Sequence, residues 1–237
     1  MLSSAPSEPD PRASGLEART RAAYDTVAES YARLLADDLA GSPWDRQVLA
    51  AFAQAVPSGP VLDAGCGPGR VTAHLAGLGL DARGLDLSPR TVAVARRAHP
   101  ALRFDVGSLT RLPEPDGGLA GALAWYSLIH LDRPGRAVAS AELHRVLAPG
   151  GLLLTAFQVG AGHLRRTSAY GHPVRLDIWR LDPADLTEQL VAVGFELVDR
   201  WDRPPSRRET TAQTALLARV RAARGADPAS RGERTCP

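Results

Sequence analysis

Glycines at alternating positions mark the part of this 237-residue sequence that is best suited to hold a ligand. Residues 61–70 read VLDAGCGPGR, an apolar strand pattern that leads into a glycine-rich turn and then into a helical pattern. Glycine adopts positive φ and has no Cβ, and the start of the following helix offers unpaired N–H groups. A ligand can therefore lie against bare backbone here, so the segment predicts a binding loop.

The spacing within this loop separates one class of ligand from another. Gly65, Gly67 and Gly69 form G-x-G-x-G, whereas the dinucleotide fingerprint needs G-x-G-x-x-G, with its last glycine where this chain has Arg70. Asp86 lies 17 residues after Gly69, at the end of the next strand pattern, where an acid can accept hydrogen bonds from both hydroxyls of a ribose. We therefore expect a ligand that contains a nucleoside, and the spacing disfavours NAD and FAD.

The elements around the loop alternate between short apolar runs and helical patterns, which is typical of a parallel sheet with crossover helices. Ser88, followed by Pro89, and Asp182 are expected helix N-caps. The pattern predicts a doubly wound α/β sheet. Its strands are predicted at residues 60–64, 82–86, 102–106, 119–126, 151–158, 195–201 and 214–220. Its helices are predicted from Leu16 onward and at residues 45–55, 70–77, 88–98, 134–147 and 183–193.

Composition excludes several classes of protein. The chain is 44% hydrophobic and 23% charged, as in globular domains, and no apolar run approaches the roughly 20 residues of a membrane helix. The first residues carry no apolar block that would form a secretory signal, so we expect a cytoplasmic protein without a membrane partner. All 28 basic residues are arginine, 26 acidic residues nearly balance them, and aromatic residues make up 5%, so a nucleic-acid partner is not expected.

The cysteines and histidines show no metal-binding spacing. Cys66 and Cys236 have no C-x-x-C neighbour, and His74, His99 and His144 lack ligand spacing with cysteines or acids. We therefore expect neither a disulfide scaffold nor a metal site.

Five segments, taken in order, resemble the motifs of one family. They are residues 61–69 with the glycine loop, Asp86, residues 109–113, residues 119–131, and residues 143–154, in which a helix, a leucine and Pro-Gly-Gly lead into a strand. On these motifs the sequence resembles the class I S-adenosylmethionine-dependent methyltransferases from about Tyr24 to Val220. The resemblance implies a Rossmann-like, doubly wound and mostly parallel seven-stranded sheet with helices on both faces. It also implies S-adenosylmethionine as cofactor and methyl transfer to an O, N or C nucleophile of a small organic acceptor.

The resemblance further implies a domain organisation. A single methyltransferase domain covers residues 16–222, with residues 16–56 as an N-terminal helical lid and residues 159–181 as an insertion that forms the substrate pocket. The insertion has no clean period and is interpreted as a loop or cap. Both tails, residues 1–15 and 223–237, are rich in proline or charge, and we expect them to be disordered. Neither the acceptor nor the choice between monomer and homodimer can be read from the sequence.

The resemblance assigns eleven cofactor-binding residues, which lie at the ends of predicted strands or on the first helix. Asp63 and Gly65 would face the methionine half, Leu87 the adenine ring, and Trp125 the donor sulfur. Tyr24 and Tyr31 belong to a Tyr-Asp-x-x-Ala-x-x-Tyr pattern, and they would share one helix face over the cofactor. The full set is Tyr24, Tyr31, Asp63, Gly65, Gly67, Gly69, Asp86, Leu87, Ser108, Leu109 and Trp125.

One position departs from the family pattern. Members of the family often have an Asp after the glycine that follows the third strand, where it accepts a hydrogen bond from the adenine amino group. Here Gly107 is followed by Ser108. We expect the Ser108 hydroxyl and backbone groups to make this contact instead.

Catalytic candidates lie near the predicted fourth and fifth strands. His130 follows the fourth strand, and Tyr170 and His172 lie in the insertion, so each is a candidate base for an acceptor hydroxyl or amine. A packed histidine or an exposed loop would explain the same residues without a catalytic role. Two alternatives to a methyltransferase stay open. They are a non-catalytic S-adenosylmethionine-binding protein and, less favoured, a nicotinamide-dependent oxidoreductase.

Overall fold

The computed structural model describes residues 11–206 and 209–221. Its helices are α1 Pro11–Leu34, α2 Pro43–Ala55, α3 Arg70–Gly77, α4 Pro89–Ala98, α5 Arg133–Val146 and α6 Pro183–Ala192, with a 3₁₀ turn at Leu128–His130. Its strands are β1 Pro60–Ala64, β2 Asp81–Asp86, β3 Phe104–Val106, β4 Leu119–Trp125, β5 Leu147–Gln158, β6 His163–Ala169, β7 His172–Trp179, β8 Phe195–Arg203 and β9 Gln213–Val220.

Seven strands of the described chain form one sheet in the order β3-β2-β1-β4-β5-β9-β8. The pairs from β3 to β5 are parallel, and β9 runs antiparallel to both of its neighbours, β5 and β8. The expected doubly wound, mostly parallel seven-stranded sheet is therefore confirmed. The strand order reverses between β1 and β4, and doubly wound sheets bind ligands in the crevice beyond the carboxyl ends of such strands.

Apolar side chains cover both faces of the sheet. On one face, α5 packs Leu143 into a cluster that includes Leu153 of β5. On the other face, α2 packs Phe52 into a cluster that includes Leu154. Leu153 and Leu154 are adjacent in β5, and adjacent residues of a strand point to opposite faces. Helices therefore lie on both faces, and burying each such side chain stabilises the fold by about 1.5–3 kcal/mol.

Local capping explains where several helices begin. The Ser88 hydroxyl accepts a hydrogen bond from the N–H of Thr91 at 3.0 Å, and the Asp182 carboxylate accepts one from the N–H of Ala184 at 2.7 Å. A proline occupies the first turn of α2, α4, α5 and α6. Proline suits this position because the N–H that it lacks would have no partner there. The predicted caps at Ser88 and Asp182 are confirmed.

Residues 159–181 are predicted to be a loop or cap, and the loop is wrong, because β6 and β7 form an antiparallel two-stranded sheet. No alternation marks β6, since nearly all of its side chains are exposed. By contrast, β7 buries Val174 and Leu176 against Ala23 and Val27 of α1. We call this element the β6–β7 hairpin.

The first helix also starts earlier than the sequence predicts. It begins at Pro11, so residues 11–15 of the expected disordered tail are helical. The rest of that tail, residues 1–10, and the expected tail at residues 223–237 lie outside the described residues. None of the described helices combines the length and the apolarity that a membrane span requires.

Candidate functional site

The loop between β1 and α3 adopts a conformation that its glycines permit. Gly65 and Gly67 have φ angles of 85° and 55°, which side chains rarely adopt. A Cβ on Gly65 would lie 2.3 Å from the Cβ of Ser127, and one on Gly67 would lie 3.1 Å from Cε1 of Tyr31. The Gly65 N–H also donates a hydrogen bond to the Leu85 carbonyl at 2.7 Å. The hydrogen bond fixes the loop to β2. Because the two glycines have no Cβ, Ser127 and Tyr31 can lie close to the loop backbone.

Asp86, at the end of β2, supports the same loop. Its Oδ2 accepts a hydrogen bond from the Gly67 N–H at 2.9 Å, and its Oδ1 accepts one from the Ser88 N–H at 2.9 Å. Burial raises the pKa of this carboxyl, and the two N–H groups offset part of that shift. Each carboxylate oxygen can accept more than one hydrogen bond, so Asp86 can still bind a ligand hydroxyl.

The loop, Asp86 and the ends of the neighbouring strands line a cavity of about 660 Å³, which we call the loop cavity. Its lining combines bare loop backbone, a carboxylate, apolar side chains and aromatic rings, which is typical of a small-molecule site. Nine of the eleven predicted cofactor residues line it, and these nine are Tyr24, Tyr31, Gly65, Gly67, Asp86, Leu87, Ser108, Leu109 and Trp125.

The other two predicted cofactor residues, Asp63 and Gly69, do not line the loop cavity. Asp63 is 1% exposed, and its Oδ2 accepts a hydrogen bond from the Thr72 hydroxyl at 2.7 Å. Burial raises the pKa of Asp63 to about 6, and the Thr72 hydroxyl offsets part of that shift. Gly69 is the N-cap of α3, with a φ of 84°. Both residues shape the loop, and contact of Asp63 with a ligand stays a prediction.

The Ser108 hydroxyl is already engaged by a residue that the sequence motifs did not indicate. The Glu17 carboxylate of α1 accepts a hydrogen bond from Ser108 and another from the Thr110 hydroxyl, the latter at 2.6 Å. Glu17 also lines the loop cavity. The family pattern has an acid at the position of Ser108. Here a carboxylate from another part of the chain, that of Glu17, lies next to this position.

Helix α1 covers the site through polar contacts with several other elements. Its Asp25 carboxylate accepts a hydrogen bond from the Ser88 hydroxyl at 2.6 Å, at the start of α4. Its Arg19 guanidinium donates to the Asp177 carboxylate of β7 at 3.2 Å. The buried Asp177 carboxylate also accepts from Arg165 at 2.8 Å and from His163 at 2.7 Å, so it joins α1 to both hairpin strands. We call α1 and the β6–β7 hairpin together the roof.

Tyr24 and His130 form a hydrogen-bonded pair beneath the roof. The Tyr24 hydroxyl lies 2.8 Å from Nε2 of His130, and Nδ1 of His130 lies 3.1 Å from the backbone carbonyl of Asp177. A carbonyl only accepts hydrogen bonds, so Nδ1 carries the proton and Nε2 of the neutral ring accepts from Tyr24. Burial lowers the pKa of His130 to about 4. The ring is therefore neutral near pH 7, with its basic nitrogen facing a phenol.

A second cavity, of about 1160 Å³, lies between the hairpin, α2 and the end of the sheet, and we call it the hairpin cavity. Tyr170 lines it from the hairpin turn, with a φ of 51° and its ring centroid 4.9 Å from that of Tyr31. His172 lines neither of these two cavities. Its Nε2 lies 2.7 Å from the Ser30 hydroxyl, so the structure places it in a contact that fixes the roof.

The two cavities share a wall of aromatic side chains. A ligand in either cavity would contact the same rings, so ligands bound in the two cavities would be neighbours. Its residues are Tyr24, Tyr31, Trp125, Tyr126 and His130.

Comparison with known proteins places these features in a family. Residues 61–151 match a family model described as a methyltransferase domain. This range contains β1, the glycine loop, Asp86 and β4, which are the parts that form the floor of the loop cavity. The chain contains a methyltransferase domain, and its motifs are similar to those of the class I S-adenosylmethionine-dependent methyltransferases.

Relatives of this methyltransferase domain are similar over part of their length. A probable S-adenosylmethionine-dependent methyltransferase of Mycolicibacterium smegmatis is 33% identical over 142 residues, which cover 59% of this chain and 52% of that protein. A malonyl-[acyl-carrier protein] O-methyltransferase of Erwinia billingiae is 34% identical over 161 residues, which cover 62% of this chain and 63% of that protein. The chain thus spans between half and two thirds of the length of these curated relatives.

A solved structure shows the same fold over nearly all of its length. Magnesium protoporphyrin IX methyltransferase from Synechocystis, with S-adenosylmethionine bound, has a TM-score of 0.68 and 17% sequence identity. The alignment covers 86% of this chain and 97% of that one.

Five residues that line the loop cavity were not among the predicted site residues. Glu17 and Thr20 come from α1, Tyr126 and Ser127 directly follow β4, and Leu131 follows the 3₁₀ turn. The position of Tyr126 just after Trp125, at a strand end, was a signal that would have found it. No comparable signal exists for Glu17, because its role depends on where α1 lies relative to β3.

Proposed function

We propose that the protein transfers a methyl group from S-adenosylmethionine to a nucleophile of a small organic acceptor. The observation that carries this proposal is the aromatic wall shared by the loop cavity and the hairpin cavity. A donor in the first cavity and an acceptor in the second would both lie against these rings. Methyl transfer requires the two molecules to be in contact between the rings, because the nucleophile must lie behind the methyl carbon at about 3 Å.

The lining of the loop cavity suits the donor in its chemistry. Asp86 offers carboxylate oxygens to the ribose hydroxyls, and the half-buried Leu87 and Leu109 offer apolar surface to the adenine. A Cβ on Gly67 would lie 3.1 Å from the Tyr31 ring, so the loop backbone itself forms part of the surface. Thr20 Oγ1, a buried polar atom of the lining, has no hydrogen-bond partner within the described residues. Buried polar atoms are normally hydrogen-bonded, so this atom suits a contact with a bound molecule.

When bound, S-adenosylmethionine supplies a methyl group on a positively charged sulfur that leaves as a neutral thioether. The protein's own residues then have two tasks, which are to hold the two molecules in line and to keep water out of their junction. The ring of Trp125 packs against the rings of Trp44 and Tyr126, with centroids 6.2 and 5.8 Å away, which restrains it at the shared wall. Tyr24 and Tyr31 cover the same junction from α1, with ring centroids 5.5 Å apart.

The Tyr24–His130 pair can take the proton that an O–H or N–H acceptor loses. Tyr24 accepts the acceptor's proton at its hydroxyl oxygen while its own proton passes to Nε2 of His130, 2.8 Å away. The Asp177 carbonyl at Nδ1 then stabilises the protonated ring. Burial raises the pKa of Tyr24 well above its usual value, so the phenol keeps its proton until this transfer. Of the three predicted catalytic residues, His130 is assigned this role. Tyr170 is assigned to the acceptor side, and His172 is given no chemical role.

Several narrower predictions accompany the proposed activity. The acceptor is a small molecule rather than a nucleic acid, and the location is cytoplasmic. The chain acts as a monomer or a homodimer. A nicotinamide-dependent oxidoreductase stays disfavoured, because Arg70 occupies the position of the last glycine of the dinucleotide fingerprint.

Calorimetric titration of the full chain with S-adenosylmethionine, S-adenosylhomocysteine and NAD tests the donor assignment. We expect micromolar binding of the first two and no binding of NAD. Binding of NAD alone would contradict the proposal. Binding of S-adenosylmethionine without release of S-adenosylhomocysteine, over a broad panel of small acceptors, would favour the non-catalytic alternative.

Two conservative substitutions test the proton path. Tyr24→Phe and His130→Gln should each lower turnover by about 10²–10⁴-fold for an O–H or N–H acceptor, which is the usual contribution of a positioned acid or base. His172→Gln is the matched control, and its turnover should equal that of the unaltered protein. Equal turnover in all four proteins, with unchanged affinity for S-adenosylhomocysteine, would remove the Tyr24–His130 pair from the mechanism.

A further inference from the structure

The hairpin cavity has a group of buried polar atoms without hydrogen-bond partners within the described residues. Asp45 and Gln213, which are 5% and 1% exposed, carry unpartnered acceptor atoms, Oδ1 and Oε1. Unpartnered donor atoms are found on Trp125 (Nε1) and Arg203 (Nε). All four residues line the hairpin cavity. Buried polar groups of native proteins nearly always find partners, so this concentration indicates a place where a ligand supplies them.

Asp45 is the charged member of this group that has no ion pair. It lies in the first turn of α2, where its own N–H donates to the Ser42 hydroxyl at 3.3 Å. Burial raises the pKa of the Asp45 carboxyl, and Ser42, Arg203 and Arg70 offset part of that shift. None of the ion pairs of the described chain includes Asp45. A position in a helix N-terminus explains why the charge is tolerated but not why Oδ1 has no hydrogen-bond partner within the described residues.

Arg203, the last residue of β8, lines the same cavity, but its guanidinium is already paired with another acid. Its guanidinium donates to both oxygens of Glu209, at 2.5 and 2.7 Å, and lies 5.2 Å from the centroid of the Trp44 ring. Arg70 pairs only distantly, at 3.9 Å, with the exposed Asp38, and its buried Nη1 has no hydrogen-bond partner within the described residues. Over the whole lining three arginines, including Arg166, balance three acids, and Asp45 is the acid among them that has no ion pair within the described residues.

Backbone geometry independently marks the same cavity. Among the described residues, the non-glycine residues with positive φ are Tyr126, at 57°, and Tyr170, at 51°. Tyr170 and Gly171 are the two residues between β6 and β7, so the positive φ of Tyr170 belongs to the hairpin turn. Tyr126 lies in no such turn and lines both cavities. Its conformation costs of order 1–3 kcal/mol, and such residues cluster at ligand sites, where the surrounding structure holds them in place.

We propose that Asp45 and Gln213 bind an amine group of the methyl acceptor. This inference rests on the proposed function, since it names the chemistry of the molecule that the hairpin cavity would receive. The two oxygens accept N–H hydrogen bonds, and the carboxylate compensates the charge of an ammonium. Trp125 Nε1 and Arg203 Nε are left to donate to an oxygen of the same molecule. The side chains of Ile129, Leu176 and Ile178 supply an apolar wall for its carbon skeleton.

Three probes that share a phenyl ring and a two-carbon arm separate the possibilities. They are 2-phenylethylamine, 2-phenylethanol and 3-phenylpropionate, each titrated calorimetrically into the full chain saturated with S-adenosylhomocysteine. We expect the amine to bind at least tenfold more tightly than the carboxylate and more tightly than the alcohol. Asp45→Asn, which keeps the shape of the side chain, should abolish that preference. Asp37→Asn is the matched control, because the exposed Asp37 lies in the same connection between α1 and α2 but does not line this cavity, and it should keep the preference.

A second variant is needed because Asp45→Asn could change binding by altering the start of α2. Gln213→Leu changes β9 instead and should weaken amine binding by threefold or more. The melting temperature and the affinity for S-adenosylhomocysteine should stay unchanged in every variant. Tighter binding of the alcohol or the carboxylate, no binding of the amine, or an unchanged preference in Asp45→Asn would each overturn the inference while leaving the proposed function intact. Failure of S-adenosylhomocysteine to bind the unaltered chain would overturn both.

Discussion

The floor and the roof of the loop cavity are held together in different ways. The floor, which consists of the glycine loop and Asp86, is fixed by backbone groups: the N–H groups of Gly65 and Cys66 donate to the Leu85 carbonyl at 2.7 and 3.0 Å. The roof is fixed by side chains that meet across long stretches of sequence. Tyr24 and His130 are 106 residues apart, and Ser30 and His172 are 142 apart.

This difference indicates how the work of the site is divided. A floor made of sheet and backbone keeps its shape as long as the fold exists, because its hydrogen bonds belong to the sheet itself. A roof made of separate side-chain contacts can detach without unfolding the sheet. The floor is therefore suited to recognition of an invariant donor, and the roof to features that vary, such as the acceptor and the timing of binding.

The largest expected effect comes from adding a methyl group to the floor. Gly65→Ala places a Cβ 2.3 Å from that of Ser127 at a φ of 85°. Overpacking and left-handed strain together should lower the free energy of unfolding by about 2–5 kcal/mol. Gly79→Ala is the control, because Gly79 has a φ of 92° but open space around its Cβ position. Thermal and urea unfolding of both variants measure the difference, and equal losses would show that the loop has room for a side chain.

The next effect concerns pH and the buried imidazole below the roof. The pKa of His130 falls from 6.5 to about 4 on burial, so the unfolded chain binds the proton more readily. Stability from the neutral ring is complete above pH 6.5 and is lost as the pH falls towards 4, with a total of about 3 kcal/mol. Between pH 7 and pH 5 the unaltered protein should lose about 2 kcal/mol more than His130→Gln.

The comparison with His130→Gln is needed because Asp63 acts in the opposite direction. Burial raises the pKa of Asp63 to about 6, so its contribution favours the folded state more as the pH falls through that value. Subtracting the two unfolding curves cancels Asp63 and isolates His130. An identical pH dependence in both proteins would mean that His130 is not buried as a neutral ring.

A third prediction sharpens the role of the floor in donor binding. Asp86→Ala should weaken S-adenosylhomocysteine binding by about 10- to 100-fold, because charge-assisted hydrogen bonds contribute about 1.5–3 kcal/mol. Asp81→Ala, at the exposed start of the same strand, is the control and should bind with unaltered affinity. Calorimetric titration compares the two, and unaltered affinity in Asp86→Ala would place the ribose elsewhere.

The smallest expected effect comes from loosening the roof. Asp177→Asn removes the charge that Arg19, Arg165 and His163 share, and should destabilise the contact between α1 and the hairpin by about 1–3 kcal/mol. Hydrogen exchange should become faster in α1 and the hairpin and stay unchanged in the central strands. Asp105→Asn, at a more exposed ion pair with Arg103, should change exchange little. Faster exchange throughout the sheet would show that roof and floor unfold together.

The floor could be predicted from the sequence because its determinants are local. The apolar runs, the alternating glycines and the caps at Ser88 and Asp182 all act within a few residues of the structure that they specify. Asp86 could be predicted in the same way, because it ends the strand pattern that forms β2. Seven of the nine predicted cofactor residues that line the loop cavity, all except Tyr24 and Tyr31 of α1, belong to the glycine loop or lie at or just after the ends of strands of the sheet.

The roof could not be predicted in the same way. In β6 nearly every side chain is exposed, so the strand has neither alternation nor an apolar run to reveal it. The place of Glu17 beside Ser108 depends on how α1 crosses the end of β3, which is a contact across 91 residues. Asp45 resembles an ordinary residue of a helix start, and only the assembled cavity shows that its Oδ1 has no partner.

The path of α1 over the site also bears on kinetics. Tyr24 and Tyr31 form part of both cavities and belong to a helix that is attached by Asp25, Ser30 and Arg19. Because α1 forms part of both cavities, a molecule in either cavity leaves past the same helix. The residence times of a proposed donor and acceptor are therefore linked. At saturating concentrations of both, the departure of spent donor would then be paced by the lifting of α1 and not by the methyl transfer itself.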